Sequence, residues 1–468
     1  MKLKTSAMLI AGALMGAAVI PAQADPMQDL LKVLRDKGTI SAQDYELLTN
    51  AAKAKEEQAS AEKEELMTKV ESKSSSVVTL DKKGLNFESA DKAFTANIGG
   101  RIHADYGFID DEFFEGTGNE IGDGSKFRRA RIGMEGTMFS DWFYGLEINY
   151  GGSDGSTGFT DAVIGYQGFD STKITLGRHK MPAGLEELTS SNRISTMERS
   201  SPTNTFALGR FNGLSVATKG TNWTATGGVW MGEGDGDADN IGKDSDGGYA
   251  GRITFAPIQE ENTVFHLGAS YSHIELEDDF LNGVNQTARL RQRPNNNFFD
   301  IRPVDIRYAG TEDAQTIGLE SAFIKGPFSV QGEYFTRDLN RDEFKDADVD
   351  GWYVLGTLTL TGETRGYKEG KMRTISPKNP VGQGGFGAWE LVARYDELDL
   401  FDRSAYQDNT FVNELGTKSE IWTLGVNWYV NDNIRFMANY VDADIESEGP
   451  NDAEGDIKAF LFRGQVAF

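Results

Sequence analysis

Cysteine, net positive charge and catalytic signatures are all missing from this sequence. None of its 468 residues is cysteine, which excludes disulfides, thiol catalysis and cysteine metal sites. The formal net charge of −25 argues against nucleic acid as a partner, because phosphate backbones are bound by basic surfaces. No hydrolase elbow, phosphate loop, HExxH or dinucleotide fingerprint occurs, so nothing indicates an enzyme or a cofactor.

Patterns that would bind a metal ion are also lacking. The histidines have no metal-ligand spacing and are expected to be ordinary lumen or loop residues: His103, His179, His266 and His273. The acidic run 235–240, with Asp244 and Asp246, lacks the glutamate that closes a calcium-binding EF-hand loop. We interpret it as a solvated external loop, with weak divalent binding near lipopolysaccharide as the alternative.

Long apolar runs are absent except at the start of the chain. The run Ala7 to Ile20 follows basic residues and precedes the A-x-A sequence that ends at Ala24. It is too short for a membrane helix, which needs about 20 residues. This pattern predicts a secretory signal peptide over residues 1–24.

Residues 25–76 have a helical pattern that ends before the rest of the chain. Pro26 at a first helical position and Gly38 further on predict a short helix, and Ser41 with Asp44 resembles a capping box that opens a longer one. The heptad positions that follow mix apolar and charged residues, so a coiled coil and a solvated helix both remain open. We expect a periplasmic helical segment and linker.

From residue 77 to residue 468 the period changes to two. Alternation over ten or so residues is typical of a barrel wall between lipid and water, because strands of soluble sandwiches are usually shorter. We count sixteen alternating segments, which predict an all-β, 16-stranded antiparallel transmembrane barrel. They lie near 94–108, 126–138, 141–151, 159–169, 172–180, 211–219, 222–231, 248–256, 262–275, 314–325, 328–338, 351–361, 386–399, 419–430, 434–446 and 456–468.

The connections between these segments alternate between tight turns and long polar loops. Short periplasmic turns and long external loops are typical of barrels in the bacterial outer membrane. The segment 362–385 breaks the rule, since it is a long connection on the short-turn side. The final alternating stretch ends at Phe468, which resembles the C-terminal signal of outer-membrane barrels, so we predict that Phe468 faces lipid.

Basic residues are predicted on the inner face of the barrel. If Ala130 and Ile132 face lipid, Arg129 and Arg131 face the lumen. The same parity turns inward Arg394, Arg435, Arg463, Asp105, Glu135, Glu147, Glu333, Glu390 and Asp396. The wall is therefore mixed in charge, and salt-bridged lumen packing is the structural alternative to an ion path.

Two loop regions concentrate further basic residues. In an extended backbone, Arg289, Arg291 and Arg293 fall on one side, where forked guanidinium donors match oxyanions and successive stations let an ion pass without being trapped. A lipopolysaccharide contact is the alternative. The loop 180–210 follows the fifth barrel segment, and its basic residues are Lys180, Arg193, Arg199 and Arg210.

At these residues the sequence resembles the phosphate-selective porin O/P family. The similar stretches are FRRARIGMEGTMFSDWFYGLEINY at 127–150, LGRHKMPAGLEELTSSNRISTMERSSPT at 176–203, GAWELVARYDELDL at 387–400 and NWYVNDNIRFMANYV at 427–441. The resemblance implies a homotrimer of 16-stranded channels in which an arginine ladder leads to a basic constriction. It implies that Arg289, Arg291 and Arg293 form rungs, that Arg129 and Arg131 lie in the path, and that Lys180, Arg193 and Arg199 belong to the long third loop.

The leading functional hypothesis is a passive anion channel for phosphate or a similar small anion, set in outer-membrane lipid and lipopolysaccharide. Acidic loops and inward carboxylates keep a second reading open, a general porin of weak or cationic preference. A third is a structural tether whose N-terminal helices grip the cell wall. An enzyme has no support in the sequence.

Overall fold

The computed structural model describes residues 26–73, 76–115, 122–151, 157–234, 241, 245–276, 287–298, 302–342, 344–406, 411–413, 416–448 and 454–468. The predicted signal peptide 1–24 and the acidic run 235–240 lie outside the described residues. The chain divides into two compact units, one up to Ser75 and one from Ser76 onwards, and each is described by itself.

The first unit consists of two helices, α1 (Pro26–Asp36) and α2 (Ala42–Lys73). The predicted capping box is present, because the Asp44 amide donates to Ser41 Oγ at 3.1 Å and the Ser41 amide donates to Asp44 Oδ2 at 3.3 Å. This reciprocal pair satisfies donors that a helix start leaves without partners. Among the described residues, no helix is long and apolar enough to cross a membrane.

The second unit is a closed antiparallel barrel of sixteen strands, as the alternation predicts. Closure is made by the last strand, which pairs with the first from Ile457↔Asp111 to Ala467↔Arg101. The barrel strands are β3 (Thr95–Asp111), β4 (Gly124–Met138), β5 (Trp142–Asn149), β6 (Gly158–Tyr166), β7 (Thr172–Lys180), β8 (Arg210–Lys219), β9 (Trp223–Met231), β10 (Ser245–Gln259), β11 (Thr263–Leu276), β14 (Thr311–Lys325), β15 (Phe328–Arg341), β16 (Ala347–Thr359), β19 (Ala388–Asp399), β21 (Lys418–Tyr429), β22 (Ile434–Glu446) and β23 (Glu454–Ala467).

Several short elements accompany the barrel, and the sequence did not indicate them. The hairpin β1 (Val77–Asp81) and β2 (Gly84–Glu88) extends the sheet where β2 pairs with β3. A small sheet at the long-loop end contains β12 (Thr287–Gln292), β13 (Val304–Ala309) and β20 (Phe411–Asn413). The remaining elements are β17 (Tyr367–Lys368), β18 (Lys371–Met372), α3 (Leu185–Leu188), α4 (Ser201–Phe206) and α5 (Arg403–Tyr406).

The outward face of the barrel carries two belts of aromatic side chains, as expected for a wall that crosses lipid. Phe468 is 48% exposed and lies on this face with Phe460, Phe462 and Val466, as predicted. The belt near the long-loop end contains Tyr106, Phe108, Tyr334, Trp352, Tyr395, Trp422, Tyr440 and Phe460. The belt near the short-turn end contains Trp142, Phe169, Trp223, Phe328, Trp389, Trp428, Phe436 and Phe468.

The irregular connection after β16 folds into the barrel, which explains its length on the short-turn side. Its Arg365 forms an ion pair with Glu390 of β19 at 2.5 Å. A hydrogen bond of 2.7 Å joins the hydroxyl of Tyr367 to Nδ1 of His266 on β11. The carbonyl of Gly370 accepts from Arg252 of β10 at 2.7 Å. We call residues 360–387 the inner connection.

A charge placed in the middle of the outward face should destabilise the barrel. Leu424 is 50% exposed and lies between Trp422 and Trp428 on that face. Leu424→Arg should lower the free energy of unfolding in bilayers by about 2–4 kcal/mol, because a cation would be forced into hydrocarbon. Leu424→Met is the matched control, and equal unfolding curves for the two variants in a urea titration would contradict the assignment of this face to lipid.

Candidate functional site

The third loop, residues 181–209 between β7 and β8, crosses the inside of the barrel. At its start, the amides of Leu185 and Glu186 donate to the Glu333 carboxylate of β15 at 2.6 and 2.8 Å. Further on, the Met197 amide donates to Asn439 Oδ1 of β22 at 2.8 Å. These bonds join the loop to distant parts of the wall, so the loop narrows the lumen.

Buried arginines of the wall hold the third loop in place. The parity of the strands predicted that Arg394, Arg435 and Arg463 point inward, and all three do. Each of these arginines, and Arg337 with them, donates to carbonyl oxygens of the loop. The acceptors are the carbonyls of Glu198 for Arg394 at 2.9 Å, Ile194 for Arg435 at 2.8 Å, Met197 for Arg463, and Thr205 and Phe206 for Arg337 at 3.2 and 2.9 Å.

The loop faces a basic stretch of wall on β4, where an irregularity adds one arginine to the lumen. His103 pairs with Arg129 but Ala104 pairs with Phe127, so Arg128 is the extra residue of a β-bulge. Phe127 is therefore 61% exposed on the outward face, while Arg128 and Arg129 both turn inward. Strict alternation would put Arg128 on the outer face, so sequence reasoning missed it.

Neighbouring strands add arginines that are paired with carboxylates. Glu147 of β5 lies between Arg101 at 2.6 Å and Arg131 at 3.0 Å. Arg210 of β8 pairs with Asp161 at 3.0 Å. Within this group the guanidinium groups outnumber the carboxylates, so the wall keeps an excess of positive charge.

The predicted residues Lys180 and Arg199 come together around Glu187 of the third loop. Lys180 Nζ forms an ion pair with Glu187, and Arg199 Nε lies 3.1 Å from Glu187 Oε2. Arg199 also donates to the carbonyls of Glu186 and Thr189 at 3.0 Å each. Burial alone would raise the pKa of Glu187, but the charges of Arg199 and Lys180 lower it. Glu187 thus neutralises part of the positive charge of Lys180 and Arg199, two of the predicted site residues.

The predicted Arg193 lies apart from that pair. Burial and the charges of Arg373 and Arg101 lower its pKa, while Glu135 opposes the effect. Since Arg373 belongs to the inner connection and Arg101 to β3, Arg193 extends the basic region from the third loop toward the short-turn end.

At the long-loop end, the small sheet carries the predicted arginine row. Its apolar face includes Ala288, Leu290 and Ile306, and these pack in one cluster with inward side chains of the barrel such as Leu339 and Ile445. The opposite face is turned away from this cluster. On it lie Arg289, which pairs with Asp305, together with Arg291 and Arg307, while Arg293 follows the end of β12.

One lysine lies between the arginine row of the small sheet and the basic residues of β4. Lys126 of β4 lies within electrostatic reach of both Arg293 and Arg128, and its ammonium lies 5.3 Å from the centre of the Phe298 ring. Basic side chains thus continue from the small sheet, along β4, to the third loop. Among the described residues, no group of three or more His, Asp or Glu side chains is placed to hold a metal ion.

A closed sixteen-stranded barrel with aromatic belts, a charged lumen and an inward loop defines an outer-membrane porin, a channel rather than an enzyme. The family described as phosphate-selective porin O and P matches residues 96–468, and the chain belongs to this family. It therefore resides in the bacterial outer membrane.

Two individual relatives are similar to most of the chain. Porin O of Pseudomonas aeruginosa is 33% identical over 415 residues, which cover 84% of this chain and 92% of that protein. An uncharacterized protein of Caulobacter vibrioides is 30% identical over 375 residues, covering 78% and 71% of the two chains.

Solved structures agree in fold. The anion-selective porin from Comamonas acidovorans superposes with a TM-score of 0.51 at 14% identity, over 80% of this chain and all of that one. The outer membrane channel DcaP of Acinetobacter baumannii superposes with a TM-score of 0.51 at 11% identity, over 82% and 99% of the two chains.

The inner connection should make ion preference depend on pH. Enclosure of the Lys371 ammonium by the surrounding protein, with the charges of Arg252 and Arg373, lowers its pKa to about 8. Raising the pH through about 8 removes this positive charge, so the reversal potential in a salt gradient should shift toward weaker anion preference. Lys371→Gln should reduce the shift between neutral pH and about pH 9.5, whereas Lys371→Arg, which stays charged, should reduce it equally while keeping the neutral-pH potential. A shift of wild-type size in both variants would contradict the assignment.

Proposed function

We propose that this porin is a passive channel that prefers anions, with phosphate or a related oxyanion as the favoured solute. The arginine row carries the proposal: Arg289 and Arg291 lie on the face of the small sheet opposite its apolar cluster, Arg293 follows them along the chain, and the three would line the anion path. Forked guanidinium donors match the oxygens of phosphate-type anions. Successive stations of similar strength favour passage without trapping.

From the arginine row, the proposed path continues along β4, the strand with the bulge, to the third loop. Arg128, Arg129 and Arg131 would receive an anion from Lys126, and Arg193 would pass it toward the inner connection. Lys180 and Arg199 contribute positive charge that Glu187 partly cancels. The family is described as phosphate-selective and the Comamonas acidovorans porin as anion-selective, which supports a preference of this channel for anions.

The net charge of −25 does not oppose anion preference, because many of the carboxylates lie on the outer face of the barrel and not in the lumen. A group of them occupies the outward face of the strands near the long-loop end: Asp110, Asp338, Asp348, Asp350, Glu397, Asp399, Glu420, Asp444, Glu446 and Asp456. Exposed charges are screened beyond a Debye length of about 8 Å at physiological salt. Guanidinium groups inside the narrow lumen act at shorter range and in a lower effective dielectric.

A general porin of weak or cationic preference is the second candidate, and Glu187 and Glu198 of the third loop favour it. Both carboxylates lie where the lumen narrows and cancel neighbouring cations. The sign of the reversal potential in a potassium chloride gradient separates the two candidates, and a cation-selective sign would refute our proposal.

Removal of the arginine row should weaken anion preference. Replacing Arg289, Arg291 and Arg293 by alanine should reduce the anion-selective reversal potential and raise, by about tenfold, the phosphate concentration that half-blocks the chloride current. The control removes the same charge at Lys418 and Lys458, which lie on the outward face of the barrel, and at Arg403, which is exposed in the long loop after β19. Equal behaviour of the two triple variants would show that net charge, and not the row, sets selectivity.

The first unit should be dispensable for conduction. We expect that a chain lacking residues 26–75 retains wild-type single-channel conductance, since the described strands begin at Val77. Native gels should still show the homotrimer that we propose for the family fold. Loss of current from the correctly inserted truncated protein would make the helices part of the pore. Failure of the full-length protein to conduct would instead favour the structural tether.

A further inference from the structure

The inner connection ends in a small hairpin that satisfies its own backbone. It consists of residues 366–373, in which β17 pairs with β18 across Glu369 and Gly370. Both turn residues have positive φ angles, 51° and 70°, as in the two-residue turns that reverse a tight hairpin. The Arg373 amide donates to the Gly366 carbonyl at 2.7 Å, so among the described residues no β-ladder joins this hairpin to the barrel wall. We call residues 366–373 the tip hairpin.

The neck of the tip hairpin is fixed to the barrel. Arg365, which precedes the hairpin, forms an ion pair with Glu390 of β19 at 2.5 Å, and only 3% and 0% of the two side chains are exposed. Ile375, which follows it, is buried in a cluster with Ala388 and Tyr429. These contacts use residues outside the hairpin, so they remain in place if the hairpin itself moves.

Polar contacts hold the tip hairpin against β10 and β11. A hydrogen bond of 2.7 Å joins the Tyr367 hydroxyl to His266 Nδ1. The carbonyl of Gly370 accepts from Arg252 Nη2, also at 2.7 Å. The hairpin is therefore latched to the wall by side chains of the barrel and not by strand pairing.

One apolar side chain completes the attachment. Met372 is 2% exposed and lies in a cluster with Leu185 of the third loop and Val264 of β11. Its amide donates to Thr189 Oγ1 of the third loop at 3.3 Å. Segments with few buried apolar contacts open at a low cost in free energy, so the tip hairpin can leave the wall without unfolding the barrel.

The wall half of the latch is complete without the hairpin. The Glu320 carboxylate of β14 accepts from Arg252 Nη2 at 2.5 Å and lies 3.0 Å from His266 Nε2. Both side chains keep this partner when the hairpin leaves, so release does not strand a buried charge, which would be costly. The Tyr367 hydroxyl can then bond to water.

We propose that the tip hairpin is a gate of the channel, and that Tyr367 is the positioning residue that holds the gate open through its hydrogen bond to His266. Because the neck stays attached to β19, a released hairpin pivots inside the barrel and lowers the conductance. This inference goes beyond the proposed ion preference, since it concerns the conductance whichever ion carries the current.

The first test is Tyr367→Phe, which removes the hydroxyl and keeps the ring. In single-channel recordings at fixed voltage, the fraction of time spent in low-conductance closures should rise roughly two- to tenfold, the range that loss of one hydrogen bond supplies. The matched control is Tyr271→Phe on the same strand, which removes a hydroxyl that donates to Gln315 on the outer face at 3.0 Å. Its closures should equal those of the wild type.

The second test locks the gate with a disulfide. The chain has no cysteine, so Thr254→Cys and Gly370→Cys provide the only thiols. A Cβ at Gly370 would lie 2.9 Å from Thr254 Oγ1 and 3.0 Å from Thr254 Cγ2, which suits the Cβ separation of about 3.5–4.5 Å in a disulfide. Oxidation should abolish closures and reduction should restore them. The strain of a side chain at Gly370 is present in both forms of the protein and cancels in the comparison.

Combining the two tests separates gating from general damage to the barrel. In a Tyr367→Phe background, oxidation of the same cysteine pair should remove the added closures. Equal closures in the oxidised and reduced forms would place the gate elsewhere and overturn the proposal. If the double-cysteine protein does not assemble, Tyr367→Phe and its control decide alone.

The remaining outcomes are also decisive. Equal increases in Tyr367→Phe and Tyr271→Phe would reflect lower barrel stability and overturn the gate, as would recordings in which Tyr367→Phe closes no more often than the wild type. A cation-selective reversal potential of the wild type overturns the proposed function and leaves the gate standing. An anion-selective wild type with unchanged closures in Tyr367→Phe overturns the gate alone.

Discussion

The structure depends on one constraint, that a backbone crossing hydrocarbon must satisfy every peptide hydrogen bond within the protein. The chain meets it by closing β23 on β3, so that each of the sixteen described barrel strands has a neighbour on both sides. Closure imposes two faces on every strand and therefore the alternation that runs along the second unit. It also creates an enclosed lumen whose inward side chains must find partners there.

Within that lumen, the buried arginines take two roles according to what they meet. Arg337, Arg394, Arg435 and Arg463 donate to main-chain carbonyls of the third loop, because a loop away from bulk water needs donors for its backbone. Arg128 and Arg131 of β4 and Arg289 of the small sheet instead meet carboxylates. The same residue type thus holds the loop backbone at some positions and forms ion pairs at others.

The third loop connects this architecture to ion preference. It carries Glu187 and Glu198 into the basic region, where each is held by cations of the wall or of the loop itself. Carboxylates in such positions reduce the field that a passing anion feels, but they also keep buried guanidinium groups paired.

Much of the fold was open to prediction from the sequence, because side-chain alternation is local. A period of two identified all sixteen strands, the inward turn of Arg129, Arg131, Arg394, Arg435 and Arg463, and the outward turn of Phe468. The same reasoning put Arg289, Arg291 and Arg293 on one face, and β12 includes the first two of them. Their role in conduction stays a prediction.

The features that side-chain alternation does not predict depend on contacts between distant parts of the chain. The bulge that turns Arg128 inward depends on how β3 and β4 pair, and parity along β4 alone assigns it to lipid. The pairing of Glu198 with Arg463 joins residues 265 positions apart, and the inner connection folds inward because Arg252, His266 and Glu390 on three different strands receive it. The sequence by itself determined which face of each strand meets water. Only the closed barrel decided which charges meet one another, since those distances are set by strands on opposite sides of the lumen.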